Sequence, residues 1–426
     1  MRIMWIVSRL LPDACRVMGY QEHVVGGWMQ SQLAALQKKY EDQNEYFVLA
    51  SDVRPCDIQL GNVHYRSFGR GNVIYDKGVP HQIKSEIQKS IRDFEPDVIH
   101  IHGTEFFYGS LTPSVYCGKP TVVSLQGILQ GYHSQVTGLL APKEVFWHQF
   151  NIRRFLRGST IFKEQTFWRE KRLPQEEAVF AIHSNFMGRT SWDQAWTKAL
   201  NPNAKYFHVN ETLRDVFYSG VQRLRGNIRP HSIYCSAAAG YPLKGAHILI
   251  RAVAFLKKAY PDISVRICAA EKITKSKTLI SFLKADQYTS YLRKLICKFG
   301  LQNNIVGLPK LNANNVAEEL SRAEIFVLPS LCENSPNSLG EAQLIGTPAI
   351  ATFVGGTPSV LRDGIDGRLV PSGDSAALAD MIDWYFSHPI EADAYAASAR
   401  EVASFRHDPT QNAEATMKVY RSIIQG

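Results

Sequence analysis

Short runs of β-branched and other apolar residues recur along the whole chain, each followed by a stretch with helical periodicity. In the first half they are IMWIVS, YFVLA, DVIHIH, TVVSL and AVFAIH (residues 3–8, 46–50, 97–102, 121–125 and 178–183). The second half holds SIYCSA, SVRICAA, NIVGL, EIFVLPS and PAIATFV (232–237, 264–270, 304–308, 324–330 and 348–354). Strands that are apolar on both faces, separated by helical patterns such as GAHILIRAVAFLKKAY (245–260), belong in parallel sheets covered by helices on both sides. With 426 residues there is enough chain for two such domains, each with its own core. The polar stretch from Val221 to Pro230, with Gly226 and Asn227, makes the best boundary between them. The expected architecture is α/β: two Rossmann-like domains, residues 1–220 and 230–408, with parallel sheets facing across a cleft.

Residues 325–351, IFVLPSLCENSPNSLGEAQLIGTPAIA, carry the most chemistry. Their order is strand, polar loop, helix N-terminus near Ser338, helix, strand. Open α/β sheets bind phosphorylated ligands in such places, outside the carboxyl ends of strands. Glu333 in the loop is placed to reach a sugar, and Glu341 to chelate a ribose diol. A second reading of Glu341 stands beside this one: Ser338-Leu339-Gly340-Glu341 fits a capping box in which the carboxylate bonds only backbone. Lys244, between the strand ending near Ala237 and a strong helix, is either a point charge for a diphosphate or a solvated turn lysine. Gly26-Gly27, ahead of the helical pattern Trp28 to Lys38, lets backbone approach a ligand closely, or is a flexible turn.

The 325–351 segment resembles the donor-site signature of the retaining nucleotide-sugar glycosyltransferases of family 4, which have the GT-B fold. The resemblance implies that Glu333 lies against the donor sugar and Glu341 holds the nucleotide ribose, with Ser335, Pro336, Asn337 and Ser338 lining the site between them. It implies that Lys244 grips the pyrophosphate and that Gly26 and Gly27 border the diphosphate. It also implies that the last helix, 409–426, returns to the N-terminal domain. Where the family has a Gly-Arg pair shortly before its Lys-Gly, this chain has Ala238 and Ala239, so one phosphate cation is missing. Arg189 in HSNFMGRTSW is the candidate replacement. Residues 182–218 continue the likeness and resemble the bacterial surface-polysaccharide (capsule and exopolysaccharide) members. Gly355-Gly356-Thr357-Pro358 resembles the family's glycine turn near the donor, and serves equally as a tight strand-to-helix turn.

At the tip of DVIHIH, His102 and Glu105 are placed to bind an acceptor hydroxyl, while His100 reads as a buried structural histidine. After TVVSL comes Gln126-Gly127, where the family often has a histidine. Gln126 is left to orient a sugar hydroxyl or present its carbonyl near the anomeric carbon, and it cannot titrate. The catalytic set is therefore Glu333, Lys244 and Gln126, with no metal and no cofactor beyond the nucleotide-diphosphate sugar, UDP-sugar favoured over GDP-sugar. In the family the acceptor attacks from the leaving-group face and its proton passes to the departing phosphate, so no protein base is required.

The net charge of +9 favours polyanions, but no nucleic-acid-binding motif accompanies it. Seven scattered cysteines without a CxxC pair fit a reducing cytoplasm. No apolar run is long enough to span a bilayer. Residues 143–172 hold eight Lys or Arg against three Glu, interleaved with aromatics. Two readings stand for them: an anionic-membrane patch on the inner face of the cell membrane, or a packed helix with a solvated basic face. The expected partners are thus a nucleotide-sugar donor and a saccharide or polyprenyl-linked acceptor. A GT-B epimerase would use the donor alone and need acid/base groups. A catalytically dead sugar- or lipid-binding protein is the other alternative, left open by the two alanines.

Overall fold

The structure, a computed structural model, describes residues 1–22, 26–41, 43–69, 79–141, 144, 161–236, 240–274 and 287–426. The chain divides into two compact units. Unit 1 comprises Met1–Gln130, Trp168–Arg214 and Arg406–Gly426, and unit 2 comprises Gly131–Phe167 and Asp215–Phe405.

Unit 1 is built on eight strands: β1 (Arg2–Val7), β2 (Glu45–Ala50), β3 (Asp57–Leu60), β4 (Val63–Ser67), β5 (Val98–His102), β6 (Thr121–Ser124), β7 (Asn185–Gly188) and β8 (Lys205–His208). Their spatial order is β3-β4-β2-β1-β5-β6-β7-β8. The β3–β4 pair is antiparallel and every other pair is parallel. In β1 and β5 almost every side chain is buried, as expected of strands with helices on both faces.

Unit 2 holds β9 (Ser232–Cys235), β10 (Ser264–Ile267), β11 (Ile305–Gly307), β12 (Ile325–Leu328), β13 (Ala349–Thr352) and β14 (Arg368–Val370). Its order is β11-β10-β9-β12-β13-β14, all parallel. Counted within the unit that is 3-2-1-4-5-6, the doubly wound order, with its reversal between β9 and β12. Setting aside β3 and β8 at the edges, unit 1 repeats the same order and reverses between β1 and β5.

Five helices carry or support the candidate residues: α1 (Gly27–Lys39), α2 (Leu173–Ile182), α3 (Ala246–Leu256), α4 (Asn337–Ile345) and α5 (Pro409–Ile424). The last of these packs on α1. One expectation fails outright: AVFAIH is not a strand but the end of α2. Leu173, Glu176, Val179 and Phe180 are the buried positions of that helix, a spacing of three and four residues that identifies a helical face. The strand beside β6 is Asn185–Gly188, a few residues later.

Candidate active site

The reversal point of unit 2 collects the donor-side candidates. β12 ends at Leu328, and the loop after it brings Glu333 to Lys244, with Nζ 2.6 Å from Oε1. Ser330 donates its hydroxyl to the same oxygen at 2.7 Å. Oε1 thus takes both bonds, and no described residue hydrogen-bonds Oε2. Lys244 is 33% exposed and Glu333 only 10%. A half-exposed pair of this kind is worth about 0–1 kcal/mol of stability, so its contribution is to place a cation and a carboxylate oxygen.

Two glycines hold this geometry. A Cβ on Gly355, at φ +48°, would lie 2.0 Å from the Glu333 carbonyl oxygen, which accepts a bond from the Gly356 N–H at 3.0 Å. A Cβ on Gly245, at φ +74°, would lie 1.8 Å from the Pro329 carbonyl oxygen. The Gly-Gly turn is the tight strand-to-helix turn of the second reading, and it also clamps the backbone of Glu333, which the sequence did not indicate.

α4 starts at Asn337 with Pro336 as its N-cap, and no side chain caps it. Ser338 lies inside the helix, so the capping box read for Ser338 and Glu341 does not form. Asn337 and Glu341 are one turn apart and share a face. Glu341 is buried, and the Asn337 Oδ1 is buried without a hydrogen-bond partner. Tyr234, near the end of β9, is 1% exposed and its hydroxyl likewise lacks a partner. Burial foremost, then Cys268 and the Glu341 carboxylate, push its ionisation up. Thr357 Oγ1, just after the Gly-Gly turn, is a third buried polar atom without a partner. Unsatisfied buried groups each cost about 1–3 kcal/mol, and three of them lie on the segments that follow or belong to β9, α4 and the Gly-Gly turn. Ala238 and Ala239 lie outside the described residues.

Unit 1 carries the remaining candidates. Gly26, at φ +104°, is the N-cap of α1, with Gly27 its first residue. At the reversal between β1 and β5 the side chains are aromatic. His102 is 1% exposed, its ring 3.9 Å from His100, 4.5 Å from Trp5 and 5.9 Å from Trp28. It sits inside the unit rather than at an exposed tip. Neither of its ring nitrogens has a hydrogen-bond partner. Burial, followed by His100 and Arg189, holds its pKa far below the ordinary value.

His100 is bonded on both sides, to Tyr420 of α5 through Nδ1 at 2.6 Å and to Ser124 through Nε2 at 2.5 Å. The Trp5 indole donates to the same Tyr420 oxygen at 3.0 Å. The Tyr420 oxygen therefore joins the indole of β1 to the imidazole of β5. Burial lowers the His100 pKa to about 3.

Glu105 is partly buried, and its Oε2 lacks a partner. Desolvation, then the Glu176 charge, push its pKa up to about 7. Gln126 is partly exposed, with its amide 4.0 Å from the Met29 sulfur.

Arg189 is buried and paired with Glu211 at 2.6 Å, its guanidinium 5.1 Å over Trp28. It belongs to unit 1, whereas Lys244, Glu333 and Glu341 belong to unit 2, and its charge is already matched. The motif around it has a structural explanation. Asp193 accepts from the backbone of Arg189 and Thr190 and from the Tyr206 hydroxyl, and forms a capping box with Thr190.

The basic stretch 143–172 lies mostly outside the described residues. Within it, Glu144 pairs with Arg251 at 2.7 Å, and Arg172 stacks 4.5 Å over Trp168. Among the described residues no cluster of His, Cys, Asp and Glu is arranged to hold a metal, and no helix is long and apolar enough to cross a membrane.

Sequence reasoning missed Ser330, Tyr234, Thr357, Thr104 and Glu176. Ser330 and Thr357 lie inside motifs quoted above and were within reach. Tyr234 and Glu176 sit in runs that read as core, and only burial without a partner, or a buried charge, sets them apart.

Residues 227–402 match the family model described as "Glycosyl transferases group 1". A relative from Streptomyces coelicolor, "D-inositol 3-phosphate glycosyltransferase", is 32% identical over 185 residues, 43% of this chain and 39% of that protein. The match thus spans less than half the length of that relative. Sucrose-phosphate synthase from Thermosynechococcus elongatus superposes with a TM-score of 0.70 at 14% identity, covering 100% of both chains. Anabaena HepE, in a complex with UDP and glucose, gives 0.65 at 16% identity, covering 98% of this chain and 99% of that one. At these identities the likeness is one of fold, and the fold is GT-B: two α/β domains with parallel-dominated sheets.

Proposed function

We propose that this chain is a retaining, metal-independent glycosyltransferase. It moves a hexosyl group from a nucleotide-diphosphate sugar, UDP preferred to GDP, to a saccharide or lipid-linked saccharide acceptor in surface-polysaccharide biosynthesis. The observation that carries the reading is the Lys244–Glu333–Ser330 constellation at the reversal point of a doubly wound sheet, within the segment that matches group 1 glycosyl transferases. The complex of HepE with UDP and glucose, a protein of the same fold, supports a nucleotide-sugar donor.

Departure of the nucleotide diphosphate puts charge on phosphate oxygens, where Lys244 and the first amides of α4 stabilise it. Glu333, steadied by Ser330 and by the Gly356 N–H on its carbonyl, holds the sugar as the anomeric carbon gains oxocarbenium character. Glu341 takes the ribose diol, and Ser335, Pro336, Asn337 and Ser338 line the loop between. The acceptor hydroxyl attacks from the leaving-group face, and its proton passes to the departing phosphate. On unit 1, Glu105 and Gln126 bind the acceptor, His102 being buried among Trp5, Trp28 and His100, and Gly26-Gly27 offer backbone to the diphosphate. Arg189 is retained only as a secondary cation, because Glu211 already neutralises it. The enzyme works in the cytoplasm, drawn to the inner membrane face by residues 143–172.

A second acceptor class has an observation of its own: the names of the Streptomyces and Thermosynechococcus proteins both contain a phosphorylated polyol or sugar. A phosphorylated acceptor would also suit a chain of charge +9.

A thermal-shift panel of UDP, GDP, ADP, CMP and TDP, on wild type and Glu341→Ala, tests the donor site. At about 100 times its dissociation constant a ligand adds roughly 2.7 kcal/mol of stability. One nucleotide should raise the melting temperature of wild type and not of the variant. No shift with any nucleotide would sink the assignment. Incubation of the matching sugar donor with polyprenyl-linked saccharides and with inositol or hexose phosphates then decides the acceptor, and product anomeric configuration decides retention.

A further inference from the structure

Glu176 lies on α2, is 0% exposed, and appears in none of the motifs that point to the reaction. Its carboxylate accepts three bonds. Thr104 Oγ1 donates to Oε1 at 2.7 Å, the Leu129 N–H to Oε1 at 3.0 Å, and the Gln130 N–H to Oε2 at 2.9 Å. Thr104 lies two residues beyond β5, and Leu129 and Gln130 open a short helical turn, Leu129–Tyr132, after β6. Thr104 Oγ1 is also 3.2 Å from the Gly127 carbonyl oxygen. One buried carboxylate, whose ionisation burial pushes up and these three bonds hold down, therefore ties together the two loops that carry Glu105 and Gln126.

A carboxylate is specifically suited to this task. Both of its oxygens only accept, and two amides of one helical turn plus a hydroxyl all donate. Glutamine would turn an NH2 group toward donors and lose at least one bond. Burying a charge is costly unless every bond is met, which fits a position where geometry rather than stability is at stake. The charge also acts on Glu105, whose other charged and titratable neighbours are Arg172, Arg189 and Tyr108.

We propose that Glu176 is the positioning residue of the acceptor side: its carboxylate locks the loops after β5 and β6 into one frame, so that Glu105 and Gln126 meet the acceptor hydroxyl in fixed register. This rests on the acceptor-site reading under the proposed function. In that frame Glu105, whose carboxyl is pushed up to about 7 by burial and by the Glu176 charge, donates its O–H to the acceptor oxygen below that pH.

The test is steady-state transfer by full-length wild type, Glu176→Gln, Thr104→Val and Glu105→Gln, with acceptor and donor varied separately between pH 5.5 and 8.5. Misplacement of reacting groups costs up to about 100-fold, and the acceptor KM of Glu176→Gln should rise about 10- to 100-fold. UDP binding, a property of unit 2, should stay within about twofold of wild type. The pH above which the acceptor KM climbs should fall in Glu176→Gln, since Glu105 loses its charged neighbour, and should vanish in Glu105→Gln, whose amide donates at any pH. If Glu176→Gln does not fold, Thr104→Val should give a smaller rise in acceptor KM. A folded Glu176→Gln with wild-type acceptor KM and pH profile overturns the proposal, as does Thr104→Val without effect. A wild type that binds UDP but transfers to no acceptor overturns the acceptor-site reading and this frame with it.

Discussion

The two units use one strand order and finish it with opposite chemistry. Each sheet reverses direction at its centre, between β1 and β5 in unit 1 and between β9 and β12 in unit 2. In unit 2 the reversal is charged and partly open, with Lys244 against Glu333 and a helix start free of any side-chain cap. In unit 1 the same point is filled by Trp5, His100 and His102, with Trp28 beside them, and the polar groups lie at the rim, on loops held by Glu176. Equal topology therefore does not produce equal sites. A charged reversal point suits a leaving group that gains charge, whereas a neutral aromatic one suits an uncharged hydroxyl.

The difference is sharpest if each reversal point can be disabled without the other. Lys244→Ala should lower kcat by about 10²–10³, the usual effect of losing one electrostatic contact to a developing charge, while leaving acceptor binding alone. Equal losses in donor and acceptor parameters would blur the division of labour. Gly355→Ala should push Glu333 aside and destabilise the protein by at least about 1 kcal/mol, since its new Cβ meets a carbonyl oxygen at positive φ. A variant with unchanged melting temperature and donor KM would show that the turn is not a clamp.

His102→Phe should cost unit 1 about 1–3 kcal/mol, because a larger ring must enter a site that is 1% exposed and already packed by Trp5 and His100. An unchanged melting temperature would show that the aromatic reversal point has room to spare.

A further effect concerns pH. Glu105 has its carboxyl pushed up from 4.5 to about 7, so the folded state holds a proton that the unfolded state has released. That contribution is complete below pH 4.5 and is lost as pH rises through 7. Melting temperatures at pH 5, 6, 7 and 8 should decline more in wild type than in Glu105→Gln. Parallel curves would remove the case for a neutral carboxyl.

Much of the fold was legible in the sequence, and the failures have physical causes. Both sheets follow from apolar runs such as IMWIVS and EIFVLPS, because strands buried on two faces need no alternation to be recognised. AVFAIH misled for the same reason: a helix end buried on most sides also reads as a continuous apolar run, and only the earlier Leu173 and Glu176 reveal its period. The charged reversal point was readable because Lys244, Glu333 and Glu341 lie in loops and helix starts, where charge is informative. What joins them was not. The Gly355 contact with Glu333, the Ser330 bond and the Glu176 frame are long-range facts about backbone position. Arg189 shows the converse, a cation conspicuous in sequence whose partner, Glu211, lies 22 residues on.

The bond between Trp5 and Tyr420 has a consequence for how the chain comes into being. It joins residues 415 positions apart, so unit 1 lacks this closing contact until α5 has left the ribosome. By then every residue of unit 2 has been synthesised. Domains fold as they emerge, at about 5–20 residues per second, so the half that begins the chain is the last to be completed. For the tens of seconds between Trp5 and Tyr420, the aromatic centre of unit 1 waits without its final hydroxyl. A stalled or shortened translation product would then keep a finished unit 2 and an unfinished unit 1.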